Sequence, residues 1–409
     1  MTKALHITAA TPEGSTKPFR RRVFYIPGYD PIHPRRYREL YRKEAADQAK
    51  ISGYSVALSP KKTQGTYGWH VTGKIDGATA EADVEVLVWS DIVRTSMQQG
   101  IAATYLQLLR TAAAYIFTGA LFRLMRLRKG PMIAALYPIG MLILQLALAC
   151  LIGYALYLLG TTIHPLIGLF LALPAFWQTL VFFRKHDNRL FAYYLMHDYA
   201  HSAQNFGAYP PDLESRLTQF RETIASALTE DTDEVLVVGH SSGAHLAVSI
   251  LSDLIRAGLP PQRPALALLS LGQVVPMISF LPNANRLRAD LHYLSTRNEL
   301  TWIDVTAPGD GCAFALCDPV AVTGVSPPNQ RWPLIISAAF TQTLSPERWK
   351  SLRWRFFRLH FQYLCAFDQP NDYDYFKITA GSETLANRYA NRQPSKSRIT
   401  TPRSGYRSL

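Results

Sequence analysis

The sequence predicts an α/β protein in which a mostly parallel central sheet is flanked by helices and interrupted by an inserted hairpin of two apolar helices. Short apolar runs of the kind found in buried strands alternate with segments of helical periodicity, which favours a parallel sheet. Between Lys129 and Arg184 the chain contains no Asp, Glu, Lys or Arg, which a soluble core does not require. The segment EVLVVGHSSGAHLA, residues 234–247, has the pattern of a buried strand, a turn of small residues and a helix.

The first part of the α/β domain is predicted over residues 21–100 and the second part over residues 186–387. The first part has a helix near 34–51 and three strand candidates: RVFYIPG (22–28), YSVALS (54–59) and VEVLVWSD (84–91). The second part alternates in the same way. Besides the strand, turn and helix at 234–247, its predicted elements are helices 189–206 and 212–229 and strands 265–272, 300–307 and 332–340.

The apolar stretch predicts a transmembrane helical hairpin over residues 131–185. A span needs about 20 apolar residues, and the stretch divides at GTTIHP into spans near 134–158 and 164–183. The basic segment RLMRLRK precedes the first span and FRKHDNR follows the second, while the connecting turn has no basic residue. The positive-inside rule therefore places both flanks in the cytoplasm.

Residues 101–130 are predicted to form an interfacial amphipathic helix. Their longest uncharged run, from Thr111 to Phe122, is too short to span a bilayer, and arginines flank it. Strands before and after the apolar stretch can join one sheet only if the number of spans is even, and two spans satisfy this condition. We therefore expect an integral membrane protein with both termini and the α/β domain in the cytoplasm, as in a bacterial inner membrane.

Charge and cysteine usage narrow the expected partners. The formal net charge is +13, but the basic residues form short clusters without a DNA or RNA recognition motif. We therefore expect no nucleic acid and favour a surface that faces anionic lipid headgroups, with a merely solvated basic surface as the alternative. The cysteines show no metal-ligand spacing and predict reduced thiols. They are Cys150, Cys312, Cys317 and Cys365.

The two ends of the chain are predicted to lack a fixed fold. Residues 1–20 have no apolar signal region and read as a flexible arm. Residues 388–409 are polar, basic and rich in helix-breaking residues, which predicts a disordered tail.

The turn Gly239-His240-Ser241-Ser242-Gly243 fits the pattern G-x-S-x-G and raises the question of whether its central serine is a nucleophile. In such a turn the serine has a strained backbone conformation, so the residues two positions away on each side must have almost no side chain. The serine hydroxyl then points away from the sheet, and the next backbone N–H can face a developing oxyanion. The alternative is a tight strand-to-helix turn without chemistry.

This segment resembles the nucleophile elbow of the serine α/β-hydrolase superfamily. The sequences GHSSG and LLSLG, the second on the following strand, look like its lipase and esterase members. The resemblance implies an α/β-hydrolase-like fold with the hairpin inserted, and acyl transfer through an acyl-enzyme on Ser241 without a cofactor. It also implies that the acid and then the histidine of a catalytic triad follow the serine in the chain.

That order selects His360 as the general base. Of the other downstream histidines, His245 lies on the elbow helix one turn past the serine, and His292 precedes the region expected to carry the acid. His360 would take the proton of Ser241 and return it to the leaving group. The stretch before it has a helical pattern with Ser345 as the cap, so a structural histidine packed among aromatic residues is the alternative.

Asp310 is predicted as the acid of the triad. It lies in APGDGC directly after the strand LTWIDVTA, where the superfamily has its acid loop. Asp318 in LCDPV is the second candidate, although Asp-Pro also begins turns. Asp304 lies inside the strand pattern, and Asp253 and Asp290 lie in helical stretches, which favours structural roles for these three.

The second oxyanion donor is predicted in the loop FYIPGYD. Gly28 permits a close backbone approach, and the N–H of Tyr29 can face the substrate oxygen, as the N–H of Ser242 does from the elbow. The loop is similar to the His-Gly loop of lipases, except that Pro27 replaces the histidine. An ordinary Pro-Gly turn is the alternative.

The segment HDYAH places His197 and His201 four residues apart, a spacing found in zinc sites. The metalloprotease pattern has Glu after the first histidine, where this chain has Asp198, and no obvious third ligand follows. We therefore predict no metal and no cofactor.

Together these features predict a membrane-anchored serine hydrolase that cleaves carboxylic esters or thioesters of lipid-like acyl substrates. Its expected partners are the lipid bilayer and the acyl ester or thioester. One alternative is a non-catalytic membrane scaffold that has kept a hydrolase fold. Another is a tethered peptidase or esterase that acts on soluble substrates.

Overall fold

The computed structural model describes residues 17–61 and 63–409, and the strands of this part of the chain form one sheet. The strands are β1 Phe19–Ile26, β2 Ser55–Pro60, β3 Gly68–Ile75, β4 Ala78–Val86, β5 Glu234–His240, β6 Ala265–Leu271, β7 Thr301–Thr306 and β8 Leu334–Ser337. The helices of the first part and of the hairpin are α1 Arg35–Ser52, α2 Ser90–Met97, α3 Ile101–Phe117, α4 Ala120–Leu124, α5 Lys129–Thr161, α6 Pro165–Lys185 and α7 Asp187–Leu190. They continue with α8 Ala192–Ala203, α9 Pro211–Ala227, α10 Ser242–Arg256, α11 Pro276–Ser279, α12 Asn285–Leu294, α13 Pro319–Thr323, α14 Phe340–Thr343, α15 Pro346–Leu352, α16 Phe356–His360, the 3₁₀ helix Phe361–Leu364, α17 Tyr375–Ala380 and α18 Leu385–Arg388.

The strand order of the sheet is β2-β3-β4-β1-β5-β6-β7-β8. From β4 to β8 every neighbouring pair is parallel, while the pairs β2–β3 and β3–β4 are antiparallel. The prediction of an α/β protein with a mostly parallel sheet and flanking helices is confirmed. The sequence pattern did not predict β3 or the first half of β4, which form a hairpin at Asp76 and Gly77.

The centre of the sheet is buried on both faces. Every residue of β5 is buried, as its unbroken apolar run predicts. Leu236 and Val238 belong to the core on one face, and Val235 and Val237 belong to the core on the other. Because the strands from β4 to β8 are parallel, their carboxyl ends lie at one edge of the sheet, where the loops that follow them can meet.

Helices α5 and α6 form an antiparallel hairpin that stands out from the α/β domain. They approach closely through small residues, because a Cβ on Gly160 would lie 2.5 Å from the Cα of Gly168. Both helices are long and apolar enough to cross a membrane, and in their most apolar stretches only 22% and 11% of the residues are buried. Strands that precede the hairpin in sequence and strands that follow it join the same sheet. The chain therefore leaves the α/β domain to form the hairpin and returns to the same domain.

Residues 101–130, predicted as one amphipathic helix, form α3, α4 and the start of α5 instead. The break falls at Gly119, whose φ of 73° ends the helical path. One face of α3 is buried against α8, where Leu108 packs in a cluster with Tyr193. At the end of α3 the side chain of Phe117 is 87% exposed.

The carboxyl-terminal segment 388–409, predicted to be disordered, packs along the domain as an ordered strap. The amide of Ile399 donates a hydrogen bond to the carbonyl of Leu316 at 2.7 Å. Further along, the buried Arg288 donates through Nε to the carbonyl of Ser408 at 2.7 Å. Backbone groups and Arg288 supply these bonds, so the polar composition of the strap gave no sign of them.

At the amino terminus the described chain begins close to the first strand. Residues 1–16 of the predicted arm lie outside the described residues. Strand β1 begins at Phe19, so the last two residues of the predicted arm belong to the sheet.

Candidate active site

The turn between β5 and α10 holds Ser241 in a backbone conformation that residues with a side chain rarely adopt, with φ 57° and ψ −120°. The two glycines of this turn are required because neither position has room for a side chain. A Cβ on Gly239 would lie 2.7 Å from the Cα of Ala244, and a Cβ on Gly243 would lie 2.1 Å from the carbonyl oxygen of Ile26. The predicted strand, turn and helix are therefore present, and the strain falls on the serine.

Backbone N–H groups beside Ser241 are available as oxyanion donors. Ser242 is the first residue of α10, so the helix itself does not satisfy its N–H. The loop after β1 lies against the serine, because a Cβ on Gly28 would be 2.8 Å from the Cβ of Ser241 and 3.3 Å from its Oγ. Trp89 holds this loop by donating from Nε1 to the carbonyl of Pro27 at 2.9 Å.

Tyr29, predicted as the second donor, is fixed from several directions. Its hydroxyl lies 2.5 Å from the hydroxyl of Ser96, and its carbonyl accepts a hydrogen bond from the Tyr194 hydroxyl. The next residue, Asp30, accepts a hydrogen bond from the Tyr37 hydroxyl at 2.7 Å. These bonds on both sides of the peptide give the loop a defined position beside the elbow.

The structure brings Asp310 and His360 together at the carboxyl edge of the sheet. His360 Nδ1 lies 2.7 Å from Asp310 Oδ2, the Tyr363 hydroxyl donates to the same oxygen at 3.0 Å, and the Cys312 amide donates to Oδ1 at 2.9 Å. Burial disfavours the carboxylate, but the interaction with His360 and the two further donors lower the pKa of Asp310 below its usual value. Because a carboxylate only accepts, the hydrogen bond to Asp310 places a proton of His360 on Nδ1 and leaves Nε2 as the outer nitrogen of the ring.

His360 packs against residues that adjoin Ser241 in the chain or in the sheet. The Ser241 amide donates to the carbonyl of Leu271 at 2.9 Å, and a Cβ on the next residue, Gly272, would lie 3.0 Å from the Cε1 of His360. The ring of His240, the residue before the serine, has its centroid 4.8 Å from that of His360. Nε2 of His360 is buried and has no hydrogen-bond partner within the described part of the chain. In the neutral Nδ1–H tautomer this nitrogen carries a free lone pair.

His240 positions the backbone of the candidate base. Its Nε2 lies 3.0 Å from the carbonyl oxygen of His360, and the hydroxyl of Tyr25 lies 3.4 Å from its Nδ1. A carbonyl only accepts, so the proton of His240 is on Nε2. Burial, reinforced by His360, lowers the pKa of His240 to about 3, which keeps the ring neutral.

The helix predicted to run as far as His360 is broken before it. Its start is as predicted, since the Ser345 hydroxyl accepts a hydrogen bond from the Arg348 amide at 3.3 Å and caps α15. However, α15 ends at Leu352, and α16 begins only at Phe356. His360 is the last residue of α16, where the chain passes into the 3₁₀ helix.

The other carboxyl groups considered for the triad have structural partners. Asp318 caps α13 by accepting hydrogen bonds from its first amides at 2.9 and 3.1 Å. Asp304 is buried in β7 and accepts a hydrogen bond from the Ser270 hydroxyl at 2.6 Å, and burial raises its pKa to about 8. Asp253 and Asp290 each pair with arginines at 2.5 Å.

The two histidines of HDYAH have different surroundings in the structure. His197 Nδ1 lies 2.9 Å from the side-chain oxygen of Gln107, and burial lowers the pKa of His197 to about 4. His201 instead packs its ring 6.1 Å from that of Trp89. Between them, Asp198 faces the region of His360, and burial raises the pKa of Asp198 to about 7.

A different group could hold a metal ion within the described chain, namely Asp310, Cys312 and His360, whose ligand atoms lie within 4.8 Å of one another. Two of these residues are already hydrogen-bonded to each other. Burial raises the pKa of the Cys312 thiol well above its usual value, whereas a metal ligand is a thiolate. The donor chemistry therefore favours an acid–base pair over a metal centre.

A small pocket opens beside the elbow. Ser242 and Tyr29 line it next to the candidate oxyanion site. Its other polar and aromatic lining residues include Trp89, Asp198, His201, Tyr209 and His245. Helix α8 thus contributes one wall of the pocket that Ser242 lines.

Sequence reasoning did not identify Tyr363, Trp89 or Asp198 as parts of this site. Tyr363 follows His360 by three residues, so helical spacing would have placed the two side chains near each other. Trp89 and Asp198 reach the pocket only through folding. Comparisons with models of known protein families, with curated proteins and with solved structures find no match for this chain.

Proposed function

We propose that this chain is a membrane-anchored serine hydrolase of the α/β-hydrolase superfamily that cleaves carboxylic esters or thioesters of lipid-like acyl substrates. One observation carries the proposal. A strained serine, Ser241, stands at the carboxyl edge of a parallel sheet, and the same edge holds an Asp310–His360 pair whose outer imidazole nitrogen has no partner within the described chain.

In the proposed reaction the Ser241 oxygen attacks the acyl carbonyl carbon while its proton moves to His360 Nε2. The amides of Ser242 and Tyr29 would donate hydrogen bonds to the resulting oxyanion. The bond to the leaving alcohol or thiol then breaks, and the leaving group takes the proton from His360. Water repeats both steps on the acyl-enzyme and releases the acid, so the cycle needs no cofactor.

The ionised Asp310 has two tasks in this scheme. It holds Nδ1–H of His360, which keeps the lone pair on Nε2 before the attack. It also stabilises the imidazolium after the proton transfer. Its lowered pKa supports both tasks, because the carboxylate stays charged in a buried site.

The position of the hairpin supports a lipid-like substrate. Helix α8 lines the pocket and packs on α3 and α5. In addition, Tyr137 of α5 donates a hydrogen bond to the carbonyl of Leu190 at 2.7 Å, just before α8 begins. The pocket wall therefore rests in part on α5, which is apolar enough to cross a membrane, where acyl lipids are concentrated.

The proposal is tested by labelling the protein in membranes with a fluorophosphonate probe, which reacts with activated serines. Wild type should label, and Ser241→Ala and His360→Ala should not. Ser249→Ala is the matched control, because Ser249 is buried in α10 away from the strained turn and its loss should leave labelling intact.

Other outcomes identify the alternatives. Folded wild-type protein that fails to label would contradict the hydrolase and favour the non-catalytic scaffold. Loss of labelling only in Ser241→Ala would keep the nucleophile and reject His360 as the base. Turnover of short, water-soluble p-nitrophenyl esters far above that of long-chain micellar esters would favour the tethered enzyme with soluble substrates.

A further inference from the structure

The break between α15 and α16 exposes a segment in which arginines and aromatic residues alternate. We call residues 353–358, Arg-Trp-Arg-Phe-Phe-Arg, the aromatic–arginine segment. The Trp354 side chain is 73% exposed and that of Phe356 is 43% exposed. The Arg353 guanidinium lies 5.6 Å from the centre of the Trp354 ring. Such exposure of large aromatic side chains beside arginines is unusual on a surface that faces only water.

This segment lies between the two ends of the apolar hairpin. A Cβ on Gly311 would be 2.9 Å from the ring of Phe356, and a Cβ on Gly130, at the start of α5, would be 3.0 Å from the Cα of Gly311. On the other side, the ring of Phe357 lies 4.9 Å from the ring of Phe191, shortly after α6 ends. The segment therefore sits at the level where both helices leave the α/β domain.

The arginines of the segment lack acidic partners. Within residues 17–61 and 63–409, Arg353, Arg355 and Arg358 form no ion pair with a carboxylate. Arg348, one turn earlier, pairs with Asp368 at 3.1 Å, so acidic residues are within reach of this region but do not neutralise the segment. Basic residues at the ends of the hairpin add to the positive charge, namely Arg128, Lys129, Arg184 and Lys185.

We propose that the aromatic–arginine segment binds anionic lipid headgroups at the membrane surface from which the hairpin emerges. Trp354 and Phe356 would lie at headgroup depth, as interfacial aromatic residues do, and the arginines would contact lipid phosphates. Charge complementarity and continuity with both ends of the hairpin select this partner. The inference rests on the proposed membrane insertion of α5 and α6, but not on the proposed catalysis.

The segment is connected directly to the candidate base. It supplies the first residues of α16, and His360 ends the same helix. Phe356 also contacts the loop that carries Asp310, through Gly311. Lipid contact at the segment would therefore act on both partners of the acid–base pair through one short helix and one loop.

The experiment uses the full chain in nanodiscs that contain brominated phosphatidylcholine, which quenches tryptophan fluorescence at the bilayer. Subtracting the signal of Trp354→Phe from that of wild type isolates Trp354 from the other tryptophans. The discs contain either phosphatidylcholine alone or a mixture with phosphatidylglycerol. The charge variant is Arg353→Glu/Arg355→Glu. Its matched control is Lys74→Glu/Arg331→Glu. Both residues are exposed, and both lie near the amino-terminal ends of the parallel strands, away from the carboxyl edge that carries the segment.

We expect bromolipid to quench Trp354, roughly twofold more strongly with phosphatidylglycerol, because basic residues near the surface are attracted to anionic lipid. The charge variant should lose this increase and the control should keep it. An unquenched Trp354, or equal responses of the charge variant and the control, would overturn the proposal. Fluorophosphonate labelling of the same samples reports separately on the proposed catalysis, and unchanged melting temperatures show that the variants are folded.

Discussion

At the scale of single residues, the role assigned to Asp310 differs sharply from that of Asp318, although both follow β7. Asp310→Asn should lower kcat about 10³–10⁴-fold, because an amide no longer fixes the Nδ1–H tautomer of His360 or stabilises its cation. Asp318→Asn should leave kcat within about threefold, since Asn also caps helices well. The measurement is hydrolysis of an activated ester in detergent. Equal losses of kcat in the two variants would show that Asp310 is not the acid of the triad.

The raised pKa of Asp304 predicts a pH dependence of stability. Burial raises this pKa to about 8, so the folded protein holds a proton that the unfolded chain, with an ordinary carboxyl, has already lost. Unfolding therefore releases this proton between about pH 4 and pH 8, and the contribution of Asp304 to stability falls as pH rises through that window.

Asp304→Asn replaces the titrating carboxyl group with a neutral amide and should retain the hydrogen bond from Ser270. The variant should melt close to wild type near pH 5 and above wild type near pH 8. Melting temperatures of detergent-solubilised protein across this range test the expectation. A difference between the two proteins that does not change with pH would show that Asp304 is ionised in the folded state.

At the scale of elements, the loop after β1 and the elbow after β5 must fit against each other. A methyl group on Gly28 would come within 2.8 Å of the Cβ of Ser241, so Gly28→Ala must displace the loop or the serine. We expect fluorophosphonate labelling to fall at least about tenfold, while the sheet and melting temperature change little. Gly100→Ala is the control, because a Cβ there meets nothing within 4 Å. Full labelling of Gly28→Ala would show that this loop is not part of the oxyanion site.

The sequence revealed some elements and concealed others for identifiable reasons. The unbroken apolar runs of β5 and β6 and the small-residue turn between β5 and α10 are local signals, and the strand–turn–helix around Ser241 follows from them. Strand β3 escaped notice because its buried His70 pairs with Asp83 of β4 at 2.7 Å, a partnership visible only after folding. The order of the strap likewise depends on distant backbone partners such as Leu316.

Part of the candidate site could likewise be predicted from the sequence, and part of it could not. Chain order selected His360, and the loop position of the acid in the superfamily that the chain resembles favoured Asp310 over Asp318. The structure brings Asp310 and His360 within 2.7 Å of each other. The break in the helix before His360 was not visible, because the run of arginines and aromatic residues has a helical pattern without glycine or proline. The approach of Trp89 to the elbow depends on the parallel pairing of β1 with β4, which no local pattern specifies.

At the scale of the whole molecule, the sheet constrains how the chain can cross a membrane. Strands β1 to β4 precede the hairpin and β5 to β8 follow it, yet β1 pairs directly with β5. A protein that folds in this way has both parts on one side of any bilayer that the hairpin crosses. An odd number of crossings would place β1 and β5 on opposite sides and is incompatible with the sheet.

This constraint predicts the accessibility of three positions. In a variant with all four cysteines replaced by serine, single cysteines introduced for Lys74, before the hairpin, and for Gln342, after it, should react with an impermeant maleimide from the same side of sealed vesicles. A cysteine in place of Thr162, exposed in the turn between α5 and α6, should react only from the other side. Inverted vesicles should exchange the two results. Reaction of all three positions from one side would mean that the hairpin lies along the membrane surface and does not cross the bilayer.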